Sequence, residues 1–192
     1  MVIHRPRTGN GAQLDWIALL IFLLLANSSL HINIAIAQSS DKYSSQIESD
    51  DAFPDSTLPD RLRKLREDDD GSPLERVSID LNSDGKMEKF IPEKFLEGTG
   101  GCPWLVFDSG LKHLIGRIGA KVIFVLKKKQ RGYANLECYW KMWGGLGTVT
   151  TYTFNGREYK KTSTSELRDE QIDKYFEERK NVPHPKLLRP GE

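Results

Sequence analysis

The segment Ile79–Glu88, IDLNSDGKME, has the residue types and the spacing of a calcium-binding loop. Calcium is a hard cation that binds about six to eight oxygen atoms, and every second residue from Asp80 onward can offer one. Gly85 permits the sharp turn that such a loop requires. The predicted ligands are the side chains of Asp80, Asn82, Asp84 and Glu88 and the main-chain carbonyl of Lys86.

The loop departs from an EF-hand. Ile91 stands where an EF-hand has its final bidentate glutamate, and the residues that follow the loop have the composition of a strand. The loop resembles instead the strand–loop–strand motif D-x-[DN]-x-D-G-x-x-[DE] of FG-GAP/VCBS-type repeats in exported and cell-surface proteins, with Ser83 where that motif commonly has glycine. More broadly, VSIDLNSDGKMEKFI, GGCPWLVFD and YTFNGREYK resemble small exported bacterial proteins that carry a D-L-N-G-D-G-x-x-E segment. This resemblance implies a calcium-supported β module and no particular reaction.

A metal-free polar turn is the alternative interpretation of this loop, because Asp and Asn side chains readily accept hydrogen bonds from their own backbone. Magnesium fits less well than calcium, since it requires a stricter octahedral geometry. A bound calcium ion would be structural. It would neutralise Asp80, Asp84 and Glu88, whose mutual repulsion opposes closure of the turn.

Residues 1–37 have the order of a secretory signal peptide. The basic residues Arg5 and Arg7 precede the apolar run Trp16–Ala26, and an A-x-A sequence at 35–37 favours cleavage before Gln38. The alternative is an uncleaved membrane anchor, although the apolar run is shorter than the roughly 20 residues that a span requires. We therefore predict an exported protein, periplasmic or extracellular, that contacts a membrane only if this segment is retained.

The net charge bears on the binding of nucleic acid, and the cysteine count bears on disulfide formation. Removal of residues 1–37 would lower the formal net charge from +1 to about zero, which argues against electrostatic binding of nucleic acid. The basic run Lys127–Arg131 is interpreted as a solvated hairpin tip rather than a binding patch. Cys102 and Cys138 favour one disulfide over two free thiols in an oxidising compartment.

Aromatic residues crowd the stretch YANLECYWKMWGG. Exposed rings on a sheet can stack on sugars, so Trp140 and Trp143 form a possible ligand platform, although packing in the core is the favoured interpretation. Strand alternation predicts that Cys138 and Trp140 face one side and Tyr139 the other.

Enzymatic chemistry has weaker support. His113 could belong to a Ser-His-Asp arrangement, but no nucleophile motif accompanies it. Neither of the glycine-rich segments, 98–101 and 144–147, matches a phosphate loop with its Lys and Ser/Thr, and both are interpreted as hinges. The sequence therefore favours a non-enzymatic protein over a hydrolase.

The elements that would position these residues are mainly strands. Residues 74–161 contain short runs rich in β-branched and aromatic residues, and they predict an antiparallel meander of about six or seven strands with a hairpin at Asn155-Gly156. A capping box at Ser163–Glu166 begins a predicted helix over residues 163–180, whose apolar stripe packs on the sheet. The stripe comprises Leu167, Ile172, Tyr175 and Phe176.

The predicted organisation has four parts. A signal peptide (1–37) is followed by a flexible acidic spacer (38–73) with a short helix at Pro59–Glu67, and then by a β-rich domain with a C-terminal helix (74–180) and a proline-rich tail (181–192). The fold class is mainly β, or α+β if the two helices are counted. We expect an exported non-enzymatic module with one structural calcium ion that binds an extracytoplasmic partner. The alternative is a carbohydrate- or peptidoglycan-binding module, or an inhibitor of a wall-cleaving enzyme.

Overall fold

The computed structural model describes residues 41–65, 74–93, 98 and 100–185. Within these ranges the chain forms ten β-strands, one α-helix and two short 3₁₀-helices, which confirms the mainly-β fold class. The strands are β1 (Tyr43–Glu48), β2 (Phe53–Pro54), β3 (Glu75–Ile79), β4 (Glu88–Pro92), β5 (Cys102–Phe107), β6 (Leu114–Ala120), β7 (Val122–Gln130), β8 (Tyr133–Lys141), β9 (Leu146–Phe154) and β10 (Tyr159–Arg168). Helix α1 spans Glu170–Glu177, and the 3₁₀-helices span Ser49–Asp51 and Asp60–Leu65.

The strands are arranged in two five-stranded sheets with antiparallel pairings. The first sheet has the order β1-β7-β8-β9-β10, and the second has the order β2-β3-β4-β5-β6. The described chain therefore contains two meanders, β2 to β6 and β7 to β10, where the sequence predicted one with fewer strands. Strand β1 joins the first sheet by pairing with β7.

The two sheets share one apolar core. Phe90 and Trp104 from the second sheet and Ile123 and Leu136 from the first are all 0 % exposed and belong to the same cluster. Because strands of both sheets turn side chains toward this shared core, the architecture is a β-sandwich. Burial of each such side chain contributes roughly 1.5–3 kcal/mol relative to exposure.

Short helices cover both outer faces. Helix α1 packs on the first sheet, where Tyr175 and Phe176 contact Phe124 and Tyr139 with ring centroids 4.8–6.4 Å apart. On the second sheet, Leu62 of the 3₁₀-helix packs in a separate cluster with other apolar side chains. The predicted alternation on β8 is confirmed, since Cys138 lies in the core between the sheets and Tyr139 lies under α1.

Part of the predicted spacer is ordered in strands. Tyr43 and Ile47 are buried on β1, which pairs with β7 over residues 43–48, so the prediction of a flexible spacer is wrong there. The alternation of Tyr43, Ser45 and Ile47 is the signal for this strand, but the surrounding Ser and Asp residues outweighed it. The short helix predicted at Pro59–Glu67 is present as the 3₁₀-helix at Asp60–Leu65.

The start of the C-terminal helix is also corrected. Residues 163–168 belong to β10 and pair with β9, so the capping box predicted at Ser163–Glu166 is wrong. Helix α1 begins later, after Asp169. The pattern Thr-Ser-Thr-Ser fits a strand as well as a helix cap, and here cross-strand pairing decides, with Thr150 and Thr164 hydroxyls 3.1 Å apart. The prediction that the apolar stripe packs on one face of the sheet is confirmed.

Two predicted turns are present. The basic run Lys127–Arg131 ends at the β7–β8 hairpin, where Arg131 and Gly132 have φ angles of 48° and 88° and the run is exposed, as predicted. At the β9–β10 hairpin, the Asn155 side chain accepts hydrogen bonds from the main-chain N–H groups of Arg157 and Glu158, both at 2.9 Å.

The predicted signal peptide lies outside the described residues, as does the end of the proline-rich tail. Among the residues that the structure does describe, no helix is long and apolar enough to cross a membrane. The first part of the tail runs beside β1, since Gln46 N donates to Pro183 O at 2.9 Å and Val182 is buried.

Candidate metal centre

The predicted calcium loop connects β3 to β4 at the edge of the sandwich core. Ile79, the last residue of β3, pairs with Glu88, the first residue of β4, so the two strands clamp both ends of the loop. Between them, Leu81 is fully buried in the core. The sequence therefore predicted the strand–loop–strand context correctly, and the loop is held by an apolar anchor that the ligand pattern does not include.

The side chains of the first three predicted ligands organise the loop backbone. Asp80 accepts hydrogen bonds from Ser83 N at 2.6 Å through Oδ1 and from Gly85 N at 2.9 Å through Oδ2. Asn82 Oδ1 accepts from Asp84 N at 2.9 Å. Asp84 Oδ1 accepts from Lys86 N at 2.8 Å. Each of these three side chains thus folds the next part of the loop.

Two residues of the loop have positive φ angles. Ser83 and Gly85 have φ angles of 66° and 80°. A left-handed conformation is unfavourable for serine, so Ser83, which stands where the related motif commonly has glycine, holds it at some cost in conformational energy. Its hydroxyl accepts a hydrogen bond from Lys129 Nζ at 2.6 Å, which ties the loop to the basic hairpin tip.

Hydrogen bonds also determine the charge state of Asp80. Burial alone would raise the pKa of this carboxyl, but the main-chain N–H groups of the loop, with Gly85 first, hold the pKa below its ordinary value. Asp80 is therefore ionised at neutral pH, as a calcium ligand has to be.

Glu88 is different because it points inward. It is 1 % exposed, and its Oε2 accepts a hydrogen bond from Leu81 N at 2.8 Å. Burial raises the pKa of Glu88, and the negative charges of Asp84 and Asp80 raise it further, while the Leu81 N–H opposes this shift. The described ion pairs include none to Glu88.

Strand β8 supports the loop from the first sheet. Leu81 O accepts a hydrogen bond from Ala134 N at 2.8 Å, and Ala134 O accepts one from the Tyr159 hydroxyl at 2.8 Å. The loop is therefore connected to both sheets through its main chain, and its position does not depend on side-chain ligands alone.

The carboxylates do not form a tight cluster in this structure. Among the described residues, no group of three or more His, Cys, Asp or Glu side chains is close enough to hold a metal ion. Lys86 is exposed, as are Asp84 and Ser83. The loop has the backbone arrangement of a turn organised by Asp80, Asn82 and Asp84.

Cys102 and Cys138 are both buried, each 1 % exposed, and neither is part of a disulfide in the structure. They belong to the same apolar core cluster between the sheets. Burial raises the pKa of the Cys138 thiol, and the Glu137 charge adds to this shift, so the thiol is not activated. The disulfide between them stays a prediction.

The two tryptophans of the predicted ligand platform lie in different environments. Trp143 is 83 % exposed in the turn between β8 and β9, next to Met142. Trp140 is half-buried on β8, where its ring lies 3.3 Å from the position that a Cβ on Gly119 would occupy. No ring contact within the described part of the chain joins the two indoles. The structure therefore does not combine them into one aromatic surface.

His113 lies on the exposed turn between β5 and β6. Its main-chain N–H donates to Asp108 Oδ1 at 3.2 Å, but within the described residues its ring has no hydrogen bond to a serine or a carboxylate. The geometry gives the hydrolase hypothesis no support.

Sequence reasoning missed a buried polar network beneath α1. Glu137 Oε1 accepts hydrogen bonds from the hydroxyls of Tyr43 and Tyr175 at 2.8 and 3.0 Å and from Arg179 Nη2 at 2.9 Å. Lys42 Nζ lies 3.2 Å from the other oxygen. These residues come from three distant parts of the chain, so no local motif predicts the network.

No protein-family model, no curated protein and no solved structure matches this chain. The resemblance to FG-GAP/VCBS-type calcium loops therefore depends on the residues of the loop itself.

Proposed function

We propose that this protein is an exported, non-enzymatic β-sandwich module whose β3–β4 loop binds one structural calcium ion, and that it acts by binding an extracytoplasmic partner. The observation that carries this proposal is the charge at Glu88. A buried carboxylate with a raised pKa sits beside Asp80 and Asp84, and a divalent cation is the partner that would offset the burial and the repulsion together.

The loop geometry supports the same ion. Asp80, Asn82 and Asp84 each use side-chain oxygens to accept backbone N–H groups. Asp80 Oδ1 accepts from both Asn82 N and Ser83 N, whereas Asn82 Oδ1 and Asp84 Oδ1 each keep a second lone pair. The hydrogen bonds hold these oxygens within a short loop, and a cation of variable coordination number can use the remaining lone pairs. Calcium accepts carboxylate, amide and carbonyl oxygens in flexible geometry, whereas magnesium requires a regular octahedron.

The direct test is thermal unfolding of the purified chain with calcium and then with chelator. Sites of this kind bind with dissociation constants on the order of 0.1–1 mM. At a calcium concentration ten times the dissociation constant, we expect a stabilisation of about 1.4 kcal/mol. This corresponds to a rise in melting temperature of about 3–6 °C.

Two variants give the test its specificity. Asp84→Ala should abolish the calcium-dependent rise. Asp108→Ala is the matched control, because Asp108 also accepts main-chain N–H groups in a surface turn, from Lys112 and His113, but lies outside the predicted ligand set. A rise that is equal in both variants, or absent from the parent chain, would reduce the loop to a metal-free turn.

Carbohydrate binding is a second candidate function, favoured by the exposure of Trp143. A large indole that is 83 % exposed at a hairpin tip contributes little to the core and is available to stack on a sugar ring. Quenching of tryptophan fluorescence by soluble peptidoglycan fragments, lost in Trp143→Ala, would favour this candidate over binding of a protein partner.

A further inference from the structure

A cleft of about 380 Å³ lies between β6 of the second sheet and the β9–β10 hairpin of the first. Gly116 and Tyr159 form its buried part, where a Cβ on Gly116 would come within 3.3 Å of the Tyr159 Cβ. The absence of a side chain on Gly116 therefore lets β6 approach the hairpin closely. The volume falls within the roughly 300–1,000 Å³ of small-molecule sites.

The lining of the cleft is positively charged. Arg117, Lys160 and Lys161 line it together with one carboxylate, Glu158. Lys160 pairs with Glu158 at 3.0 Å, and Arg117 pairs with Glu93 at 3.9 Å. Within the described part of the chain, no carboxylate lies within 4.0 Å of the Lys161 ammonium group. An anion in the cleft would therefore meet Lys161 without displacing an ion pair.

An aromatic ring stands beside this ammonium group. Tyr152 is half-buried, lines the cleft, and is the cross-strand partner of Lys161 in the β9–β10 pairing. Directly opposite residues share one face of a sheet, so the ring and the ammonium group lie on the same side. Tyr152 also packs against the apolar core between the sheets, which holds the ring in place.

Protection of the sheet edge is an alternative explanation for the lysines on β10. β10 is the last strand of its sheet, and exposed edge strands commonly carry lysines that prevent pairing with another chain. That explanation accounts for the charges, but it requires neither a cleft next to them nor an aromatic ring fixed at its wall.

From the cleft, its charge and its aromatic wall together, we infer that the β6–β10 cleft binds a small carboxylated sugar, with Lys161 contacting the carboxylate and Tyr152 stacking on the sugar ring. A planar carboxylate is a good acceptor for a lysine ammonium group, and an aromatic face suits the apolar face of a sugar ring. This site is separate from the β3–β4 loop and does not require calcium.

The test is titration of the full chain by isothermal calorimetry with glucuronate, glucose and acetate, in chelator. We expect glucuronate to bind, and glucose and acetate each to bind at least about tenfold more weakly, because each lacks one of the two contacts. Higher salt should weaken the binding of glucuronate, since the cleft is open to solvent. Repetition in calcium separates this site from the loop, because the affinity should not change.

Matched variants identify the contacts. Lys161→Gln should weaken glucuronate binding by about tenfold, while Lys128→Gln, an exposed lysine on the β7–β8 hairpin, should leave it unchanged. Tyr152→Phe keeps the ring and should retain binding, whereas Tyr152→Leu should lose it. The inference is overturned if glucuronate does not bind, if Lys161→Gln binds it normally, or if acetate or glucose binds equally well.

Discussion

Glu88 and Glu137 are both buried carboxylates, but their surroundings shift their pKa values in opposite directions. They are 1 % and 8 % exposed. Removal of a carboxylate from water raises its pKa unless nearby charges and hydrogen bonds compensate. For Glu137, burial would raise the pKa, but the Tyr43 hydroxyl and the charges of Arg179 and Lys42 hold it below its ordinary value. For Glu88, burial raises the pKa, and the charges of Asp84 and Asp80 raise it further.

Glu137 belongs to a network of hydrogen bonds and ion pairs that compensates its charge. For Glu88, the described ion pairs include no such partner. Arg179 stacks on the Tyr175 ring, with its guanidinium carbon 3.6 Å from the ring centroid, and donates to Glu137 through Nε and Nη2. The chain itself thus supplies the cation for Glu137. A buried carboxylate without such a cation is a better candidate for a site that an external ion completes.

The largest expected effect comes from removal of the cation in the completed network. Arg179→Ala leaves the Glu137 charge buried without its main partner, and loss of one member of a buried pair costs about 3–5 kcal/mol. We expect a fall of that size in the free energy of unfolding, measured with urea. Lys180→Ala is the control, because its ion pair with Glu177 is exposed. A loss below about 1 kcal/mol would show that the two glutamates do not differ in the way described.

A smaller effect is expected when the charge of Glu88 is removed. Glu88→Gln keeps an oxygen that accepts from Leu81 N–H and removes the repulsion from Asp80 and Asp84. In chelator we expect the variant to be at least as stable as the parent chain at pH 7, and its calcium response to be reduced by about 1 kcal/mol. The matched change Glu137→Gln should instead destabilise. Equal losses in both variants would contradict the comparison.

The smallest effect is in the pH dependence, where the two residues have opposite signs. The pKa of Glu137 is lowered by folding, so its contribution to stability is present above its ordinary pKa of about 4.3 and is lost as the pH falls. The pKa of Glu88 is raised, so its contribution is present below that value and is lost as the pH rises through its folded-state pKa.

Urea unfolding from pH 3 to pH 7 in chelator measures both slopes. Glu137→Gln should reduce the loss of stability in acid, and Glu88→Gln should reduce the loss as the pH rises from acid toward neutral. Parallel profiles for the two variants would be inconsistent with the opposite pKa directions.

Short sequence patterns predicted those parts of the fold that depend on residues close to one another in the chain. Asn155-Gly156 and the alternation across Cys138, Tyr139 and Trp140 gave a hairpin and two strand faces that the structure confirms. The strand–loop–strand context of the segment Ile79–Glu88 followed from its turn residues and the apolar runs beside it.

Long-range contacts determine what the sequence did not predict. Residues 163–166 match a helix cap, but pairing with β9 makes them a strand. The partners of Glu137 include Tyr43 and Arg179, which lie far from it in the chain, so no spacing indicates their meeting. Glu88 shares the buried face of β4 with Phe90, so its inward orientation follows from strand alternation and not from the ligand pattern.

The pairing of β1 with β7 has a consequence for the order in which the fold can be completed. Tyr43 lies opposite Leu126 and Glu48 lies opposite Val122, so the first strand has its partner far along the chain. During synthesis β1 leaves the ribosome long before β7 exists, and until then Tyr43 lacks the Phe124 ring against which it packs. Because contacts of high sequence separation require closure of a long loop, formation of this edge is among the slow steps of folding. The second sheet, whose strands pair in sequence order, has no such delay.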